Sequence, residues 1–168
     1  MHKVAAILLL QLLALPAIGG AVRAEPAHTQ RFLLSGRIEA PSLRLIAAGV
    51  INGVGSLTAE TVHYREADRT YRETDLAVVG AGSLTLSING AFDTWPFTLD
   101  PRTCTQRGGL AGTWKVTGSG GAFTGATGEG TFSGRFLTYA DRRTAGCDEA
   151  AIKGFVIGPM TGVLGGTG

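Results

Sequence analysis

The architecture predicted by this sequence is all-β: an antiparallel β-barrel of about eight strands, with a β-sandwich as the alternative. Three features point there. Apolar residues recur with period two along most of the chain, no segment after the first 24 residues carries a sustained helical stripe, and the turn-forming dipeptide Asn-Gly occurs twice between apolar runs. The 26 glycines among 168 residues favour the barrel, because strongly curved strands and a tapering interior need small residues beside large ones. Period two alone does not separate the two architectures.

The elements follow in order. Phe32, Leu34, Gly36 and Ile38 alternate with Leu33, Ser35, Arg37 and Glu39, which is the pattern of a half-buried strand. Strands are expected next over 43–51 and 54–64. With Asn52-Gly53 as a two-residue type I′ turn between them, Val50, Ala48 and Ile46 share a face with Gly55, Leu57 and Ala59. A strand over 71–79 precedes Leu84, Leu86 and Ile88, which alternate with polar residues. Taking Asn89-Gly90 as the second hairpin tip puts that apolar face on the same side as Trp95, Phe97 and Leu99 of a strand over 94–99. Strands over 110–117, 130–139 and 150–157 complete about nine, and Gly130, Phe132, Gly134 and Phe136 alternate small and large on one face. The interior is then expected to be almost wholly apolar. Phe32, Leu34, Leu84, Trp95, Trp114 and Phe132 are its candidates for lining a pocket, although aromatics on an inward face are core by default.

Residues 1–24 read as a secretory signal peptide. Lys3 gives a basic start, residues 4–15 are apolar except for Gln11, Pro16 and Gly19-Gly20 break the helix, and Val22-Arg23-Ala24 offers a cleavage site. The apolar run stops short of the roughly 20 residues that a membrane span needs, and none that follows approaches that length. The mature chain, 25–168, is therefore expected to be one secreted or periplasmic domain with no membrane span. Removing Lys3 and Arg23 from the 15 basic residues leaves 13 against 13 acidic ones, a formal net charge of zero. Nothing electrostatic then argues for nucleic acid as a partner. In an oxidising compartment, Cys104 and Cys147 are expected to form a disulfide. A metal site or reactive thiol is the alternative, but neither cysteine belongs to a CxxC and no histidine lies nearby.

Chemistry-bearing motifs are sparse. The glycine-rich stretch 118–134 lacks the lysine of a phosphate-binding loop and places Phe123 where a dinucleotide motif needs its third glycine, so it reads as a turn between two strands, and no cofactor is implied. His63 begins the most charged segment, 63–75. A His-carboxylate site with Asp75 or Glu66 would need a geometry that no GxSxG elbow supports, and one histidine among scattered carboxylates lacks metal-ligand spacing. Glu60, Glu66, Asp68, Glu73 and Asp75 supply enough carboxylates for an acid/base pair, but Arg65, Arg69 and Arg72 beside them make surface ion pairs the expected role. No catalytic residue is assigned.

The run from Gly118 to Phe132, Gly-Ser-Gly-Gly-Ala-Phe-Thr-Gly-Ala-Thr-Gly-Glu-Gly-Thr-Phe, resembles the GGTGxFxGAxGxG pattern of allene oxide cyclase-like and dirigent-like β-barrels, a group that includes many secreted bacterial proteins. The resemblance covers about 20 residues, with Trp114-Lys115-Val116 before it and Phe136 after it. It implies an eight-stranded barrel, in some members with an apolar pocket and in some oligomeric. None of that family's functional residues finds a match here, so no activity carries over.

The expected function is non-catalytic binding of a small apolar ligand or of a protein partner. A cofactor-independent cyclase or isomerase, holding a reactive substrate in one conformation, is the second expectation. A secreted inhibitor or envelope-associated protein acting through loops such as 64–70 is the third. An enzyme should place at least one ionisable or hydroxyl group against an otherwise apolar cavity.

Overall fold

The computed structural model describes residues 27–94, 98–144 and 146–166; the expected signal peptide, Trp95 and Phe97 lie outside them. The strands are β1 (His28–Arg37), β2 (Leu43–Ala48), β3 (Gly53–Arg65), β4 (Thr70–Val79), β5 (Gly82–Phe92), β6 (Thr105–Gly121), β7 (Thr127–Tyr139), β8 (Arg142–Arg143), β9 (Gly146–Cys147) and β10 (Lys153–Gly165). Eight of them close into an antiparallel barrel in the order β1-β10-β7-β6-β5-β4-β3-β2, while β8 and β9 form a two-stranded flap in the connection from β7 to β10. The fold is thus a barrel and not a sandwich. Every long strand has a partner on both sides for part of its length, but β3 meets β2 only over 53–57 and β6 meets β5 only from Leu110 on, so 58–65 and 105–109 at the open end are each paired on one side. Among the described residues, no helix is long and apolar enough to cross a membrane.

Glycine lets the barrel curve in a specific way: large side chains on one strand sit over glycines on the next. Trp114 pairs with Gly130, Phe132 with Gly112, Leu110 with Gly134 and Phe136 with Gly108, all across the β6–β7 ladder. A Cβ at Gly130 would stand 2.7 Å from Trp114 Nε1, and one at Gly108 would stand 2.6 Å from Phe136 Cε1. The alternation of small and large seen in β7 is therefore matched out of phase in β6. Each large residue fills the volume that its neighbour leaves.

The two Asn-Gly dipeptides are not the hairpin tips that the sequence suggests. Asn89 and Gly90 lie inside β5, Asn89 pairing with Arg72 and Thr113, and Gly90 with Tyr71 and Gly112. No reversal occurs there; β5 runs on to Phe92. Gly90 faces inward under the ring of Tyr71, where a Cβ would come within 2.6 Å of the ring edge and the phenol oxygen. Contact inside the barrel, not turn geometry, selects this glycine. The expected strand over 94–99 is accordingly absent at both of its described ends: Thr94 is a bend, and Thr98 and Leu99 carry no regular structure. The expected sharing of one inward face by Leu84, Leu86, Trp95 and Phe97 rested on that turn. The partners that β5 has are Val116 opposite Leu86 and Trp114 opposite Ile88, on β6.

Asn52-Gly53 stands at the end of a longer loop. Ala47 pairs with Gly53 and Leu43 with Leu57, so residues 48–52 make the reversal, and Asn52 closes it by accepting from Gly49 N–H at 3.0 Å and donating to Gly49 O. The longer loop changes the register by an odd number of residues relative to a two-residue turn, which flips β2. Leu45 and Ala47 point inward and Ile46 outward, the reverse of the face expected for this strand, while Leu57 points inward as expected. Gly90→Val should still destabilise the protein, by about 1 to 3 kcal/mol of overpacking. Because the cause is the Tyr71 ring, Tyr71→Ala in the same chain should restore part of the loss in urea denaturation. A turn origin predicts no such rescue.

One end of the barrel is closed and the other open. At the closed end Leu45, Leu84, Leu164 and Trp114 are fully buried, and Phe32 meets Trp114 edge to face at 5.9 Å. Gln30, also fully buried, is satisfied by the backbone of the β2–β3 loop: it accepts from Ile51 N–H at 2.8 Å and donates to Ile51 O at 3.1 Å. The disulfide between Cys104 and Cys147, with Cα atoms 5.4 Å apart, lies at the opposite end and ties the start of β6 to β9. Closing a segment with sequence separation 43 stabilises the fold by about 4 kcal/mol in the chain-entropy description.

Candidate functional site

A cavity of about 430 Å³ occupies the open half of the barrel, reached between the β1–β2 loop, the end of β3 and Ile152. Most of its wall is apolar: Leu57, Ile88 and Met160 are buried, Leu34 and Leu110 half-buried, and Ile38 and Pro41 exposed at the rim. Aromatic rings make a continuous surface on one side. Tyr71 stands 4.8 Å from Phe92 and 6.5 Å from Phe132 between centroids, Tyr64 stacks on Phe92 at 6.3 Å, and Phe136 meets Phe92 edge to face at 6.1 Å.

Two carboxyl groups open into this apolar space. Along β4 the residues Tyr71, Glu73, Asp75, Ala77 and Val79 alternate with outward-facing ones, so one face carries an aromatic, two acids and two aliphatics. Glu73 and Asp75 both line the cavity. Asp75 is only 2 % exposed, and its Oδ1 has no hydrogen-bond partner. Neither acid is within ion-pair distance of a lysine or arginine among the described residues, and no lysine or arginine lines the cavity. Burial pushes Glu73 up to about 7. Burial, helped by the charges of Glu73 and Glu60, pushes Asp75 up to about 8. The Tyr71 phenol is raised far above its ordinary value by burial and by the neighbouring acids, and that of Tyr64 is raised by burial and by Glu73.

A bulge helps to set this arrangement. Between Ala59 and Thr61, β3 carries the extra residue Glu60 opposite β4, which shifts the alternation by one, from Leu57 and Ala59 to Val62 and Tyr64, and so puts Tyr64 across from Tyr71. His63 pairs with Arg72 on the outer face and is exposed, so it stands on the other side of the sheet from Asp75. The His63–Asp75 site is not formed. Asp68 does take the surface role expected of it, in an ion pair with Arg65 at 3.2 Å. Glu73 and Asp75 do not, and the expectation of an almost wholly apolar interior fails at these two residues for the same reason: period two carries them inside.

Of the expected lining residues, Leu34 and Phe132 face the cavity, whereas Phe32, Leu84 and Trp114 pack in the closed half beneath it. Trp95 is outside the described residues. Glu73, Asp75, Tyr71, Phe92 and Phe136 were missed. The signal for the first three was present, since counting back by twos from Val79 and Ala77 places Asp75, Glu73 and Tyr71 on the buried face. Among the described residues, no group of three or more His, Cys, Asp or Glu is placed to hold a metal ion. No family model, no curated protein and no solved structure matches the chain.

Proposed function

We propose that this protein is a secreted or periplasmic binding barrel that takes a small, largely apolar molecule into its open end. The observation that carries the reading is the cavity of about 430 Å³, which has the size and apolar lining of a small-molecule site and holds a few convergent polar groups. The glycine-rich resemblance to allene oxide cyclase-like and dirigent-like barrels supports the same reading, as does the disulfide for the compartment. A hydrophobic fluorophore should bind the folded protein with micromolar affinity, and Ala59→Phe, which projects a ring into the cavity, should weaken uptake by about tenfold. Absence of uptake by the folded wild type would sink the proposal. Export is checked separately, by N-terminal sequencing of the mature protein, expected to begin at Glu25.

A second reading is favoured by the carboxyl pair. Groups titrating near 7 and 8 within an apolar chamber suit general acid and general base work at neutral pH, one donating a proton while the other removes one. A cofactor-independent isomerase or cyclase has this need. Compounds that co-purify with the exported protein, identified by mass spectrometry and then incubated with fresh wild type and Asp75→Asn, separate the readings. Turnover by the wild type alone makes the protein an enzyme, and unchanged recovery from both makes it a binding protein.

A further inference from the structure

The geometry points to a ligand that carries an amine: an apolar or aromatic body seated among the rings of the cavity, with an ammonium group held by Glu73 and Asp75. This inference rests on the binding reading above and narrows it. The acids alone would not carry it, but Asp75 is 2 % exposed, lines the cavity and leaves Oδ1 without a partner. A buried acceptor in that condition costs free energy until a donor reaches it. Thr138 Oγ1, in the same cavity, is likewise without a partner.

Charge and lining agree on what the donor is. Both acids lack a counter-charge among the described residues, so an ammonium entering the cavity supplies the missing cation and N–H donors, one of them for the unpartnered Asp75 Oδ1. The adjoining wall includes Tyr71, Phe92 and Phe132, with Tyr64 at the exposed rim, and aromatic faces attract a cation. An anionic ligand meets the opposite situation, with two acids and no base. A neutral alcohol can bond to one of the acids but brings no cation, so it gives the pair no reason to ionise.

Binding of the amine is then coupled to proton release. The ionisable groups facing Glu73 and Asp75 are Glu60 and Tyr64 from β3 and Tyr71 on β4, and β5 contributes none. All of these are acids, so each disfavours the ionised pair until a cation arrives. Burial leaves Asp75 mostly and Glu73 about half protonated at neutral pH, and an ammonium drives both to carboxylates. Affinity for the amine should therefore rise with pH, while affinity for a neutral analogue should not.

Calorimetry with three compounds of one skeleton, 4-phenylbutylamine, 4-phenylbutanol and 4-phenylbutyrate, tests this on the full mature protein. The amine should bind about tenfold or more tightly than the alcohol at pH 8, the worth of one charge-assisted hydrogen bond. Its affinity should climb between about pH 5.5 and about pH 8.5, with proton release seen as a buffer-dependent heat. Asp75→Asn and Glu73→Gln should each bring the amine-to-alcohol ratio toward one. If the alcohol binds as well as the amine, or if the amine's affinity is flat with pH, the amine assignment is wrong and the apolar cavity reading stands. If none of the three binds and the fluorophore is also excluded, both readings fall.

Discussion

Raising the pH from 4 to 8 should destabilise this protein, and Asp75→Asn should remove most of the loss. Asp75 titrates near its ordinary 3.8 in the unfolded chain and at about 8 in the barrel. Between those values the folded state holds a proton that the unfolded state has released. Stability is consequently complete below the unfolded value and is lost as pH rises through the folded one. Glu73 adds a fall of the same sign between 4.5 and about 7. With Asp75 almost wholly buried and one oxygen unpartnered, its contribution is roughly 3 to 5 kcal/mol, taken below the full conversion of the shift because the cavity is open to water. Urea denaturation at steps from pH 4 to pH 8.5 reads it directly. The Asn variant should equal the wild type near pH 4 and exceed it at pH 8; a wild-type stability flat across this range would show that Asp75 is ionised and satisfied in the folded protein.

Trp114→Ala is expected to cost about 3 to 5 kcal/mol, as large aromatic truncations in a packed core do. The indole is 1 % exposed, touches Phe32 edge to face, and lies over two backbones bare of side chains: a Cβ at Gly162 would stand 2.5 Å from Trp114 Cζ2 and one at Gly130 would stand 2.7 Å from Nε1. Once the ring is gone, neither glycine has a side chain to move into the void. The strands that carry them are fixed on both sides by ladder hydrogen bonds within a closed barrel. Trp114→Phe should be milder, because most of the volume stays and the indole N–H, which has no hydrogen-bond partner, disappears. A loss below about 1 kcal/mol for the alanine variant in urea denaturation would mean that the closed half of the barrel relaxes around the gap.

Period two in β1, β5 and β7, the glycine alternation of 130–136 and the cysteine pair were legible in the sequence, because each depends on local chain geometry or on compartment chemistry. They determined an all-β fold and the inward direction of Phe32, Leu84, Leu86 and Phe132. Tertiary structure alone decided the register of the hairpins. Asn-Gly favours a tight turn locally, but at Gly90 the contact with Tyr71 prevails, and at Asn52 a longer loop sends Leu45 inward in place of Ile46. The chemistry of the site was decided in the same way. In the sequence Glu73 and Asp75 stand beside Arg72 and look like half of a solvated ion-pair cluster. A strand sends adjacent residues to opposite faces, so closure of the barrel keeps Arg72 in solvent and shuts the two acids inside, away from any cation. Sequence proximity of charges says nothing about pairing across a sheet, and only the closed fold shows which charges are left without a partner.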